Sequence, residues 1–453
     1  MTSRRTLLKA SAGAAAAVAL GRAGVHAQDA TPQPLAPFTR DASITSWGFG
    51  VEETNPLAYS RVEAFKAAYP SISIEIVPEF DNQKLLTGVA SGNVPDLLWI
   101  DRATLASWAA RDVLLPLDDF FGSNGITETD FYPAAIAEVK YNGQYFGLPQ
   151  FMDVRALYIN NQAVWDAEAD PATIDTGNWE ALSDLGGKLV QKDGDAVQRW
   201  GFDTKIQSGA IYMWGQGNGA SFFDSEGAPT FDDEKIVETL TWAVKANDAQ
   251  GGYSSFQAVA STWQGDEQFA RQQVAMTVYE SWMLGIIGRV APDLDFTVMP
   301  LRPNGGGDPI SSTGGSAWAI PKDAGDVEAA QVFIAFMNRD DTWMLGTQAT
   351  KDARVQSGQL FIPSLSGKPA VDQAQIDQLY EPIAKPFDDA VKLFPVILQT
   401  SQVRPISGSP VGGELNDILT DAVEAALSNE QSAEDAMSDA NEKANDAIDE
   451  FNS

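Results

Sequence analysis

The sequence predicts an α/β protein built as two lobes, each a doubly wound sheet flanked by helices, and three observations carry that prediction. Strand and helix patterns alternate from residue 44 onward instead of segregating into blocks, as they do when strands are joined by crossover helices. The run 96–100 (DLLWI) is almost continuously apolar, which marks a strand covered on both faces. The 453 residues exceed what one core organises well and suit two domains.

Residues 1–27 read as an export leader. Ser3-Arg4-Arg5-Thr6-Leu7-Leu8-Lys9 resembles a twin-arginine motif, 10–20 is a short apolar run, and Val25-His26-Ala27 offers a small-residue cleavage site. That run falls well short of the roughly 20 apolar residues of a membrane span. Residues 28–41, with Pro32, Pro34 and Pro37, form a lead-in predicted to be disordered.

From residue 44 the elements follow in order. Residues 44–49 make a strand. Val62, Phe65 and Ala68 recur at helical spacing over 56–69, a helix stopped by Pro70, and Ile72, Ile74 and Ile76 alternate as a second strand. Residues 82–91 form a helix closed by Gly92 and lead to the strand 96–100. This β-α-β-α-β succession requires right-handed crossovers. Asp101 follows the third strand, at the carboxyl edge where open α/β sheets bind ligands, and it is equally suited to cap a helix over 103–110. Glu52, in the loop after the first strand, holds the equivalent edge position as a weaker candidate.

Asn142-Gly143 signals a hairpin, and the run beyond Pro149 reads as a strand leaving the first lobe. Along it Phe151, Asp153 and Arg155 share one face by the two-residue period. They either converge on a ligand or neutralise one another, and buried without partners they would be costly. A helix is expected over 179–190. Beyond it, Tyr212 and Trp214 precede a glycine-rich turn in SGAIYMWGQGNGASFF (208–223). The acidic stretch 224–234 lacks the alternating ligands of a Ca2+ loop and is expected to be a hairpin. Residues 232–250 then make an amphipathic helix with Leu240, Trp242 and Val244.

Val274, Met276 and Val278 alternate toward Glu280, Ser281 is placed to cap the next helix, and Trp282 stands in its first turn. An indole at the end of a buried strand is a site candidate, with core packing as the competing explanation. A returning strand at 295–300 leads to SSTGGSAWAI (311–320), where Gly314 and Gly315 permit close backbone approach and Trp318 follows. Residues 326–337 are helical and 361–364 form another crossover. Arg404 precedes the glycine-rich loop 408–413 and is placed either to contact ligand or to tie the lobes together, the structural role being the preferred expectation. Ser432 and Asp435 open a final helix whose alanines line one stripe. The predicted first lobe comprises 42–150 with 300–362, the second 151–299 with 363–453.

Composition excludes several chemistries. There is no cysteine, and the single histidine, His26, lies in the leader. The mature chain therefore has no imidazole base, no thiol nucleophile and no transition-metal ligand set, and it implies no cofactor or metal. The absence of cysteine also rules out lipid attachment through a cysteine at the new N-terminus. Formal charge is −32, and loss of the leader's Arg4, Arg5, Lys9 and Arg22 takes it to −36. Such a surface repels nucleic acid and anionic membrane.

Several segments resemble one family in the same order. AMTVYESWML (275–284), DLDFTVMPL (293–301) and GGSAWAIP (314–321), with AFKAAYPSISIEIVP, QKLLTGVASGNVPDLLWIDR and NWEALSDLGGKL before them, are similar to the maltose-binding-protein-like extracellular solute-binding proteins that serve ABC importers. The resemblance implies a type II periplasmic-binding-protein fold, with several crossover strands and a cleft between the lobes. It implies a sugar stacked on Trp282, acidic sugar ligands at Asp101 and Asp153, and an aromatic wall near Tyr212 and Trp214, with Trp318 a further platform. Arg155 completes the polar grip. The ligand is then a carbohydrate, the partner an ABC permease, and the protein an extracytoplasmic monomer without enzymatic activity. Two alternatives stay open: a glycoside hydrolase using Asp101 and Asp153, with neither carboxyl expected to have its pKa raised, or a binder of another solute such as a polyamine.

Overall fold

The computed structural model describes residues 32, 37–400 and 409–452, and Pro32–Ser453 form one compact unit. The leader, most of the lead-in and Arg404 lie outside the described residues.

Alternating isoleucines and an apolar run build the first sheet. Its strands are β1 (Ala42–Trp47), β2 (Ile72–Val77) and β3 (Leu97–Asp101), with β1 parallel to both others. The connecting helices obey local chemistry. Asn55 caps Pro56–Ala68, whose first residue is the proline that needs no amide partner there. Asp81 accepts the amides of Gln83 and Lys84 to open Asn82–Ser91, and Gly92, at φ +70°, closes it. A small hairpin, β4 (Lys140–Tyr141) and β5 (Gln144–Tyr145), turns on Asn142 and Gly143 with positive φ at both.

The chain then runs through β6 (Leu148–Pro149), still in the first sheet, into β7 (Asp153–Asn160), an interior strand of the second. That sheet continues with β8 (Gln191–Asp193), β9 (Ala196–Asp203), β10 (Val274–Glu280) and β11 (Phe296–Met299), in the order β11-β7-β10-β9-β8. The return passage is as short: β12 (Thr313–Gly314) pairs with β7, and β13 (Ser316–Ala319) enters the first sheet between β3 and β6. Only Gly315 separates the two sheets at that point. Because β13 runs antiparallel to β3 and β6, and β7 antiparallel to β10 and β11, both sheets are mixed, an effect of the crossovers that helix-and-strand alternation does not reveal.

Two apolar cores match the two sheets. Ile44, Phe65, Leu97, Leu98, Trp318 and Phe333 belong to one, and Leu157, Trp200, Trp214, Val278, Ile287 and Leu419 to the other. The segment 301–310, assigned from sequence to the first lobe, packs in the second core. Leu301 and Ile310 bridge to each other there, so the chain crosses at Gly315 and not at 300. The final helix Ala433–Asn452 opens on the expected cap, with Asp435 N donating to Ser432 Oγ at 3.0 Å, and buries its alanine stripe. Its neighbour Gly412–Leu427 packs on second-lobe helix Glu234–Asp248 and also touches Arg102–Ala110 of the first lobe. Among the described residues no helix is long and apolar enough to cross a membrane.

Candidate functional site

The first residues past the crossover form a polar row. Asp153 opens β7 opposite Gly314, and Arg155, two positions on, lies opposite Glu280 at the end of β10. Arg155 donates to Glu280 Oε1 at 2.6 Å and to Ser312 Oγ at 3.0 Å, while its other contact, to Asp153 Oδ1, is looser at 3.9 Å. Asp153 is buried and its Oδ1 has no hydrogen-bond donor. Burial pushes its carboxyl up to about 6; Arg155 opposes that shift and Glu280 adds to it. An acid in that range contradicts the expectation that no carboxyl here is raised. A buried carboxylate oxygen without a donor carries an uncompensated desolvation cost.

Trp282 follows the same strand. It is 39% exposed, with its ring edge-on to Tyr279 at 5.2 Å. The helix Met283–Val290 begins directly after it without a side-chain cap, so Ser281 does not play the capping part expected of it. Trp282 and Phe151 both line a cavity of about 330 Å3, with Arg289, Arg354, Leu360 and Asp372. The last three come from 340–378, where the sequence reading placed a crossover at 361–364 and no site residue. Asp372 is buried, accepts from Ser366 N at 2.7 Å, and is also pushed up to about 6 by burial. A larger, more open depression of about 750 Å3 lies against helices Trp179–Leu189 and Glu234–Asp248 and involves none of the predicted residues.

The remaining candidates separate. Asp101 is exposed at the end of β3, and Oδ1 accepts the amide of Ala103 at 2.9 Å, so it caps its helix while its neighbour Arg102 turns inward. Glu52 sits on an exposed loop, accepting from Thr54 Oγ1. Gly314 and Gly315 line the passage between sheets. A Cβ on Gly314 would meet Asp153 Oδ2 at 2.9 Å, and Gly315 holds φ +138°.

Three aromatic candidates are not platforms. Trp318 is 0% exposed and packs in the first core against Phe49, Trp99 and Phe333. Trp214 is likewise 0% exposed, its Nε1 donating to Thr204 O at 2.9 Å and its ring wedged between Trp179 and Trp242. Tyr212 is buried against Phe222. Both of these side chains ride on a short helix, Ile211–Gly217, which turns them into the second core.

Sequence reasoning missed Arg102, Glu138 and Glu280. Arg102 Nε donates to Glu138 Oε2 at 2.6 Å with both side chains buried. Burial raises the Glu138 carboxyl, and Arg102 opposes the rise. An arginine just after an aspartate offered no signal that it would turn inward.

A profile of the family described as bacterial extracellular solute-binding protein matches residues 52–342. The arabinooligosaccharide-binding protein of Bacillus subtilis is 23% identical over 313 residues, 65% of this chain and 69% of that protein. The maltotriose-binding protein of Pyrococcus abyssi is 22% identical over 383 residues, 81% of this chain and 75% of that one. Among solved structures, CpMnBP1 with mannobiose bound superimposes with a TM-score of 0.72 at 22% identity, covering 89% of this chain and all of its own. Maltose-bound MalE3 of T. maritima gives 0.67 at 19% identity over 90% of this chain and 100% of that chain. At these identities the structural likeness establishes the fold.

Proposed function

This chain belongs to the bacterial extracellular solute-binding protein family, and we propose that within it the chain captures a carbohydrate between its lobes and hands it to an ABC-type permease. The observation that carries the reading is the half-exposed Trp282 standing at the end of β10 beside the row Asp153, Arg155 and Glu280. A sugar presents apolar C–H faces that stack on an indole and hydroxyls that donate to carboxylates and accept from guanidinium. Asp153 Oδ1 is the acceptor in want of such a donor. The names of the relatives, binders of arabinooligosaccharide and maltotriose, support the same ligand class. Ligand binds the closed arrangement of lobes better than the open one and shifts the population toward it, and the closed form is what a permease reads. Export by the twin-arginine-like leader and an extracytoplasmic, monomeric mature form without a lipid anchor complete the proposal, with no nucleic acid partner.

A melting screen of the purified protein against mono- and oligosaccharides, with spermidine as control, tests it. Ligand at a hundred times its dissociation constant adds about 2.7 kcal/mol of stability. Trp282→Ala is expected to weaken the responding sugar roughly tenfold or more while leaving the melting temperature of the free protein nearly unchanged. No response to any saccharide, with a clear response to spermidine, would overturn the ligand class.

One observation favours a second reading. The raised Asp153 carboxyl is in the range of a general acid, as a glycoside hydrolase requires. Its predicted partner Asp101 is engaged as a helix cap, and Glu280 is paired with Arg155. Release of reducing sugar from the responding oligosaccharide on prolonged incubation would decide for hydrolysis.

A further inference from the structure

Two of the passages between the sheets, 150–152 and 314–315, are held by one buried guanidinium. Arg102 Nη2 donates to Gly314 O at 2.7 Å, and Nη1 donates to Phe151 O and, at 3.4 Å, to Ser316 O. Its backbone amide donates to Gly315 O at 3.0 Å. Nε is taken by Glu138, whose other carboxylate oxygen accepts from Thr313 Oγ1 at 3.0 Å. Both crossovers thus converge on a single planar fork from the start of the helix Arg102–Ala110. Gly315 has no room for a side chain, since a Cβ there would overlap Phe151 O and Arg102 Nη1. From the other side Arg61 Nη2, also fully buried, reaches Gln150 Oε1 and Met337 O, fixing the start of the first crossover to the first lobe.

Burying a charged pair costs desolvation that well-packed apolar residues avoid, so Arg102 and Glu138 are weakly explained by stability alone. A rigid fork with five donors can fix several carbonyls at set spacing, which a lysine cannot. We propose that Arg102 is a hinge-positioning residue: it locks the two crossovers side by side, so that the lobes swing as rigid bodies about 151–152 and Gly315, and it sets their resting separation. This rests on the reading that the lobes close on a ligand, but its consequence is measurable without one.

The chain has no cysteine, so Gln83→Cys on an exposed first-lobe helix and Glu442→Cys on an exposed second-lobe helix give a unique pair of spin-label positions. The distance distribution of the ligand-free protein is expected to be narrow. In R102M/E138M, which removes both charges together, it should be about twofold broader or more, and affinity for a mannotriose probe should fall roughly tenfold as the closure-competent fraction shrinks. R102K is expected to fall between, and the core variant Phe333→Leu to lower the melting temperature while leaving the width unchanged. A folded R102M/E138M with the width of the parent overturns the proposal. Should that variant not fold, R102K carries the test, and the parent's width there overturns it equally. Because the width is read without sugar, a failed saccharide screen leaves this result standing by itself.

Discussion

Asp153 is held where its charge costs stability. Its folded carboxyl titrates at about 6, above the ordinary 3.8, so the native state binds its proton more tightly than the unfolded chain does. Between about pH 4 and pH 6 stability therefore falls as pH rises, and the full deficit is present above 6. Asp153→Asn removes the charge and keeps the shape. It is expected to raise unfolding free energy at pH 7.5 by at most about 3 kcal/mol, with the gain gone below about pH 4. Denaturant melts at both pH values check the sign, and calorimetry with the responding sugar should show weaker binding at pH 7.5. Gain of stability with loss of binding identifies a residue kept for function. A variant destabilised at pH 7.5 would count against it. The sequence showed Asp153 and Arg155 on one face, because the two-residue period is local. It could not show Glu280 as the partner of Arg155, since that pairing comes from the register of a strand 125 residues away.

At the scale of the element, position within a strand or helix decided what each aromatic does, more than residue type. Strands such as β2 and β10 were readable because alternation or an apolar run is a local pattern, and helices 56–68 and 82–91 were readable from their caps and stops. Trp282 and Trp318 are the same residue type, each near the edge of a sheet. Trp282 stands past the end of β10, where nothing covers it fully. Trp318 is the third residue of β13, inserted between β3 and β6 and paired in register with Trp99. That insertion depends on a crossover that local periodicity does not encode, which is why sequence reasoning took Trp318 for a platform. Tyr212 and Trp214 failed for a related reason: the glycine-rich segment expected to be a turn is preceded by a helix facing the core. Truncating the fully buried indole, Trp318→Ala, should cost about 3–5 kcal/mol in denaturant melts. The surviving folded fraction should bind the sugar with nearly the parent's affinity, whereas a large affinity loss at unchanged stability would restore Trp318 to the site.

At the scale of the whole molecule, the charge of the chain separates the ligand classes that the site geometry leaves close together. With 62 acidic against 30 basic residues the protein sets up a negative field, which attracts a polyamine and repels a free anion. The cavity beside Trp282 has Arg289 and Arg354 in its lining, so locally the field is opposed. A neutral saccharide is indifferent to both fields. Salt screens exposed charges over about 10 Å at 0.1 M, and a charged ligand of either sign would show that screening in its affinity. The dissociation constant for the responding sugar, measured by calorimetry at about 20 mM and about 300 mM sodium chloride, is expected to agree within roughly twofold. An affinity that falls severalfold with added salt would mean that the ligand carries charge. Binding weakened by salt and retained by a cation such as spermidine would put the acidic surface in control. The same weakening with a uronate-bearing saccharide would put the arginines of the cavity in control. Salt independence would support the proposed stacking on Trp282 and hydroxyl contacts with Asp153 as the source of affinity, since neither depends on a charged ligand.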